Sequence, residues 1–221
     1  MDHSNSEHDR VPNPTKVIHF PKTDILVPSQ TNITQEYIEY FKDGLPSNFI
    51  EVSPEIFFNS PDNPTLVAKQ RIMRAKDVRR KRHEGGYIRM TQESMNAGNS
   101  LMNEFSLVEE IQQVVNSEEA QQFAKEKGFE GLAYVRPIIG IINRENGKKY
   151  MVYPFIEGKQ WYTSPPGMII EDHEPVQPLI NLFEEKGINP EDLIPRQFRI
   201  GPDNWMYLLD TDQYHKVPNR P

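Results

Sequence analysis

Apolar residues recur along the chain in two periods, and the switches between them mark its elements. In Thr34 to Lys42, Tyr37, Ile38 and Phe41 share a helical face, and Asp43-Gly44 followed by Pro46 ends it. Phe49 to Val52, Glu55 to Phe58 and Thr65 to Lys69 are rich in aromatic and β-branched residues. The turn-forming run Asn59 to Pro64 precedes the last of these, so the three predict strands with a hairpin connection. Past Gly85-Gly86 a long helix is expected from Thr91 to about Val115. Asn116-Ser117-Glu118-Glu119 then caps a second helix that runs to Lys127-Gly128. Ala133 to Asn143 and Lys149 to Ile156 flank Arg144-Glu145-Asn146-Gly147, an antiparallel pair about an Asn-Gly turn. Glu157 to Glu174 reads as a connection and Val176 to Lys186 as a short helix. Gln197 to Ile200 and Trp205 to Asp210 form a last hairpin about Gly201-Pro202-Asp203-Asn204. Residues 1–33, polar apart from Val17 to Phe20 and Ile25 to Val27, are expected to be a flexible tail that docks late.

Composition narrows the class. Of the 221 residues, 36% are hydrophobic and 26% charged, with aromatics spread through the later two-thirds, which fits a folded α+β chain. A net charge of −7 argues against wholesale nucleic-acid binding, since duplex binders carry excess cations to neutralise phosphates. There is no cysteine, which excludes disulfides, thiolate metal sites and thiol nucleophiles. No apolar run is long enough to span a bilayer and the first thirty residues lack a secretory core, so a soluble, cytoplasmic protein with no membrane partner is expected. The six histidines show no ligand spacing, and Ser164 in TSPPG lacks the glycines of a nucleophile elbow. Against the acidic background, residues 69–83 are strongly basic. They form either a solvated face or a docking site for phosphate, RNA or an acidic partner.

Within this layout, a few charged residues sit where apolar neighbours make them conspicuous. Lys69 ends the apolar run Leu66-Val67-Ala68, which suits either a solvent edge or a cation projecting from a buried strand. On the long helix, about 100° per residue puts Leu101, Phe105, Val108, Ile111 and Val115 on one face, with Glu104 inside it and Glu109 and Glu110 outside. A carboxylate there either reaches water at the rim or needs a cation, and Lys69 is the candidate. Trp161 and Tyr162 either line a pocket or cover core.

The order of elements, with Leu66-Val67-Ala68-Lys69 and the stretch from Gly187 to Asp212, resembles the protein-kinase family over about Phe49 to Tyr214. The resemblance implies an antiparallel N-lobe sheet with a long αC-like helix over residues 34–158. A hinge connection and truncated C-lobe would occupy 159–221. It implies ATP and Mg²⁺ as cofactors, with Lys69 on the phosphates, paired to Glu104, and Tyr153 and Phe155 at the strand and hinge that grip adenine. Asp192 would stand as the catalytic-loop acid, and Gln197 and Asp210 as metal ligands. Gln197 stands where the family has Asn and offers its oxygen from one methylene further out. The sequence departs from the family in having no glycine between Phe49 and Phe58, Pro190-Glu191 before Asp192, and Thr211-Asp212 after Asp210. The activation segment and remaining C-lobe helices are missing, which suggests a protein partner that completes the lobe. A kinase of an unusual acceptor, a pseudokinase that binds nucleotide without turnover, and a non-enzymatic α+β interaction domain all fit this pattern.

Overall fold

The computed structural model describes residues 15–28, 35–71, 101–161, 173–190, 193–211 and 213–217. In chain order these form strands β1 (Thr15–His19) and β2 (Thr23–Pro28), helix α1 (Gln35–Phe41), and strands β3 (Ile50–Ser53), β4 (Ile56–Phe58) and β5 (Leu66–Gln70). Helices α2 (Leu101–Val115) and α3 (Glu118–Glu126) follow, then β6 (Leu132–Tyr134), β7 (Ile139–Asn143), β8 (Lys149–Pro154) and β9 (Lys159–Gln160). Helix α4 (Gln177–Glu185), β10 (Ile188–Pro190), β11 (Phe198–Ile200), β12 (Met206–Leu208) and β13 (Tyr214–Lys216) complete the α+β arrangement.

Seven strands form one antiparallel sheet in the order β1-β2-β7-β8-β5-β4-β3. Together, the central strands β2, β7, β8 and β5 bury apolar residues on both faces, because each face of the sheet carries a helix. Ile25, Val27, Ala68, Ile141 and Val152 join Ile38 and Phe41 of α1 in one cluster, whereas Leu26, Met151 and Tyr153 point to the other face, against α2. On α2 the expected face of Leu101, Phe105, Val108, Ile111 and Val115 is buried, with Leu107 and Val114 beside it. Ser117 caps α3, its hydroxyl accepting the Ala120 N–H at 3.2 Å.

The structure departs from the sequence reading in three places. Residues 15–28, inside the stretch expected to be a flexible tail, are a hairpin that extends the sheet through β2 and β7. The reason is two-sided burial: Ile25, Leu26 and Val27 are each at most 7% exposed, alternating between the α1 and α2 cores. The stretch expected as one strand from Ala133 to Asn143 is split. Here β6 leaves for a four-stranded sheet ordered β6-β12-β11-β9, pairing in parallel with β12, while β7 stays in the large sheet. Finally, β10 and β13, where the sequence reading placed no element, pair antiparallel as a small third sheet. The first ten residues of the expected long helix lie outside the described residues.

Gly140 lets the two layers close. A Cβ there would sit 2.8 Å from the ring of Phe105 on α2 and 3.2 Å from the Leu26 Cβ on β2. Gly140→Val should therefore lower stability by about 1–3 kcal/mol, read from urea unfolding, through overpacking of a closed interface.

The added hairpin is also tied by charge. Arg144, just past β7, donates to Asp24 from Nε at 2.9 Å, and His19 Nδ1 lies 2.7 Å from the same carboxylate oxygen. The Arg144 hydrogen bond first, then that of His19, holds the Asp24 carboxyl below its usual value. A lowered carboxyl pKa adds stability that is complete above the unfolded value and lost as pH falls through the folded one. Urea midpoints followed from about pH 5 to about pH 2 should drop less steeply for Asp24→Asn than for the parent chain.

Candidate functional site

Strand β5 sends alternate residues to alternate faces. Leu66 and Ala68 join the core on the α1 side, which leaves Val67, Lys69 and Arg71 to face α2. The ladder continues one residue past the strand, where the Arg71 N–H donates to the Lys149 carbonyl at 2.9 Å. Two cations two residues apart are thereby held on one face.

Each meets a different acid. Arg71 is the partner of Glu104: its NH2 donates to Glu104 Oε2 at 2.6 Å and to the Tyr153 hydroxyl at 2.7 Å. The Tyr153 hydroxyl in turn donates to Glu104 Oε1. The Arg71 and Glu104 side chains are 8% and 3% exposed, so this is a buried network joining β5, α2 and β8. Burial pushes the Tyr153 phenol well above its usual range, with the Arg71 charge opposing and the Glu104 charge adding, so the phenol stays a donor. Lys69 bonds instead to Asp210, 141 residues along the chain, at the far end of the β11–β12 hairpin. That pair is wetter, with side chains 24% and 33% exposed. The Arg71 NH1 reaches within 4.0 Å of the second Asp210 oxygen, which brings both ion pairs into one cluster.

The sequence reading paired Lys69 with Glu104, and the structure replaces it. Glu104 does need a cation, but the nearer one along the α2 face is Arg71. Arg71 was hidden in the basic run, although its spacing of two from Lys69 marks it as the next residue on that face.

Asp210 is placed by backbone and by its neighbour. The Leu209 N–H donates to the Gln197 carbonyl at 3.1 Å, so the 3₁₀ turn Pro195–Gln197 lies beside the end of the hairpin. Thr211, fully buried, shares a hydrogen bond of 3.1 Å with the Tyr134 hydroxyl of β6. Burial also raises the Tyr134 pKa. Gln197 is itself 8% exposed. Asp192 lies outside the described residues, as do Tyr162 and most of the 69–83 basic segment.

The expected adenine-gripping pair divides. Tyr153 points inward to Glu104. Phe155 is half-buried, with its N–H on the Thr65 carbonyl at 2.9 Å and its ring 5.2 Å from that of Phe58. The Arg199 guanidinium of β11 lies 5.9 Å from the Phe155 ring and donates to the Ile156 carbonyl at 2.9 Å. Beyond them Gly158, at φ 140°, crosses β11 so closely that a Cβ would lie 2.0 Å from the Ile200 carbonyl oxygen, so only glycine fits. Trp161 packs edge-on against Phe123, Phe129 and Phe198 and covers core.

In place of a glycine-rich loop, β3 and β4 are joined by a tight turn at Pro54 and Glu55. Glu55 has φ 69°, and its carbonyl accepts the Gln70 N–H at 2.8 Å. The turn is thus fastened to β5 next to Lys69. Among the described residues no group of three or more His, Asp or Glu converges as a metal cage, and no helix is long and apolar enough to cross a membrane.

No protein-family model and no curated protein matches the chain. Among solved structures it is similar to the bifunctional kinase-methyltransferase WbdD, at 13% identity and a TM-score of 0.36, over 75% of this chain and 31% of that one. A co-crystal structure of WbdD and a kinase inhibitor matches at 10% identity and a TM-score of 0.38, over 76% and 33%. The chain thus spans about a third of those chains. Likeness of this degree leaves activity to be judged from the residues themselves.

The two ion pairs should differ sharply in cost. Arg71→Met strands a buried carboxylate and should destabilise the fold by about 3–5 kcal/mol. Lys69→Met breaks a half-exposed pair and should cost about 1 kcal/mol or less. Guanidinium unfolding of both variants checks the contrast.

Proposed function

We propose that the chain is a nucleotide-binding domain of the protein-kinase type, suited to Mg²⁺-dependent transfer of phosphate from ATP. The observation that carries this reading is the meeting of Lys69 from β5 with Asp210 from the end of the β11–β12 hairpin, above a long helix whose one buried acid is satisfied by a cation. A lysine for phosphate oxygens and a carboxylate for metal are the two charges phosphoryl transfer asks of a protein.

The residues suit such a metal. Mg²⁺ is commonly held by one or two carboxylates and by substrate phosphates rather than by an all-protein cage. Asp210 is the carboxylate, one-third exposed, and the backbone bond from Leu209 to Gln197 brings the main chain of Gln197 beside the end of the hairpin that carries it. These two residues would hold the ion, and a bound Mg²⁺ supplies charge neutralisation at the phosphates. Lys69 would leave Asp210 and take a phosphate oxygen, exchanging one anionic partner for another. With no backbone amides offered by the Pro54-Glu55 turn, Lys69 is the main cationic phosphate ligand in this reading. Phe155, with Arg199 beside it, would form the wall against the base, and Asp192 would orient the acceptor hydroxyl.

A second reading, nucleotide binding without turnover, is favoured by the same Pro54-Glu55 turn, since nothing in it can close on a γ-phosphate. Titration with Mg-ATP separates the possibilities. The parent chain should gain several degrees in Tm at millimolar nucleotide, and Lys69→Met or Asp210→Asn should remove the gain. Consumption of ATP that Asp192→Asn abolishes selects the kinase, a shift without consumption selects the binding protein, and no shift at all overturns both.

A further inference from the structure

Strand register carries the face of Lys69 outward to the edge of the large sheet. Residues directly opposed on antiparallel strands lie on one face. Val67 of β5, Phe58 of β4 and Ile50 of β3 therefore share the side of the sheet from which Lys69 projects. Ile50 is apolar yet 51% exposed. The Phe58 ring meets that of Phe155 edge-on at 5.2 Å, and the guanidinium of Arg199 lies over Phe155 at 5.9 Å, reaching it from the four-stranded sheet. An apolar wall thus runs from the lysine to a second cation.

Arg199 is held in an unusual way for a half-buried charge. Its backbone sits in β11 between Tyr207 and Gln160, with Phe198 and Ile200 buried on either side. Nη1 donates to the Ile156 carbonyl at 2.9 Å. The Nε is buried with no hydrogen-bond partner, and among the described residues no carboxylate pairs with the guanidinium. A desolvated donor left unbonded is costly, and an acceptor carried in by a ligand removes that cost.

We propose that Arg199 is a specificity-determining residue that selects guanine over adenine at the nucleotide site. The inference rests on the nucleotide-binding reading above and changes the base, leaving the roles of Lys69 and Asp210 as stated there. Its content is a match of donors and acceptors. Guanidinium offers donors only. Guanine presents O6 and N7, adjacent acceptors that an arginine fork meets together, whereas adenine sets an amino group beside N7 and so opposes a donor to a donor. The Ile156 carbonyl, the backbone acceptor beside Phe155 that would suit that amino group, already receives Nη1. Phe58 and Phe155 offer contacts that any purine can use, since every base has a π-face, so the choice between bases falls to the cation.

The test is calorimetric titration of the full chain with Mg-GDP, Mg-ADP and Mg-IDP, the last carrying O6 and N7 but lacking the 2-amino group of guanine. GDP and IDP should each bind about tenfold more tightly than ADP. Arg199→Leu should erase the preference. Arg199→Gln, whose amide pairs with the adenine amino group and N7, should bring ADP level with GDP or ahead of it. A parent chain that binds ADP as tightly as GDP overturns the inference. So does IDP that binds like ADP, which would put the discrimination at the 2-amino group, and so does a preference that survives both substitutions. The first two comparisons are made on the parent chain and hold whether or not the variants fold. Binding of none of the three nucleotides, or binding that Lys69→Met leaves unchanged, overturns the underlying reading as well.

Discussion

The buried ion pair between Arg71 and Glu104 is the constraint on which the site depends. Removing a carboxylate and a guanidinium from water is expensive, and their mutual attraction offsets it only when geometry is good and the remaining lone pairs are bonded. Here Tyr153 bonds both members, so Glu104 has a donor at each oxygen. The network cannot slide without stranding a charge. It therefore fixes the register between α2 and strands β5 and β8 more sharply than the aliphatic contacts around it, which tolerate small shifts.

That constraint decides what Lys69 can do. Residues 69 and 71 face the same helix, and had Lys69 been the partner of Glu104, it would have been locked into the buried anchor of α2. With Arg71 assigned to the anchor, Lys69 is left in the wetter half of the cluster, where its bond to Asp210 is only partly shielded. The two chemistries suit the two cations. Guanidinium is weakly hydrated, always charged and able to bridge several acceptors, as a buried anchor requires. Ammonium is a compact, strongly hydrated charge on a flexible stem, as a partly exposed pair that can exchange partners requires.

How much of this was legible in the sequence depends on the range of the interactions. Local signals read well: the Ser117 cap, the Asn-Gly turn between β7 and β8, the apolar face of α2 and the awkward place of Glu104 within it. What required the fold was non-local. The β1–β2 hairpin looks like a polar tail with two short apolar patches, and only the presence of a core on both sides of β2 makes it a strand. Strands β10 and β13 are three residues each and pair across a wide separation, too short for any period to register. Arg71 was concealed by composition, because it opens a basic run in which each residue reads as solvated. The alternation of β5 singles it out once the face of Lys69 is known.

The surroundings of Asp210 hold its main chain more firmly than its side chain. Its backbone is held on both sides, by the Leu209 bond to Gln197 and by Thr211, buried against Tyr134. With main chain fixed, the carboxylate can respond only by side-chain rotation and by exchange of bonding partners. Lys69 bonds one of its oxygens, and Arg71 comes within 4.0 Å of the other. A Phe in place of the fully buried Thr211 would overpack the site and could not bond to the buried Tyr134 hydroxyl, which would lose this partner at a cost of about 1–3 kcal/mol. The departure at position 211 therefore fits this core, and it leaves the chemistry of position 210 to the two cations of β5.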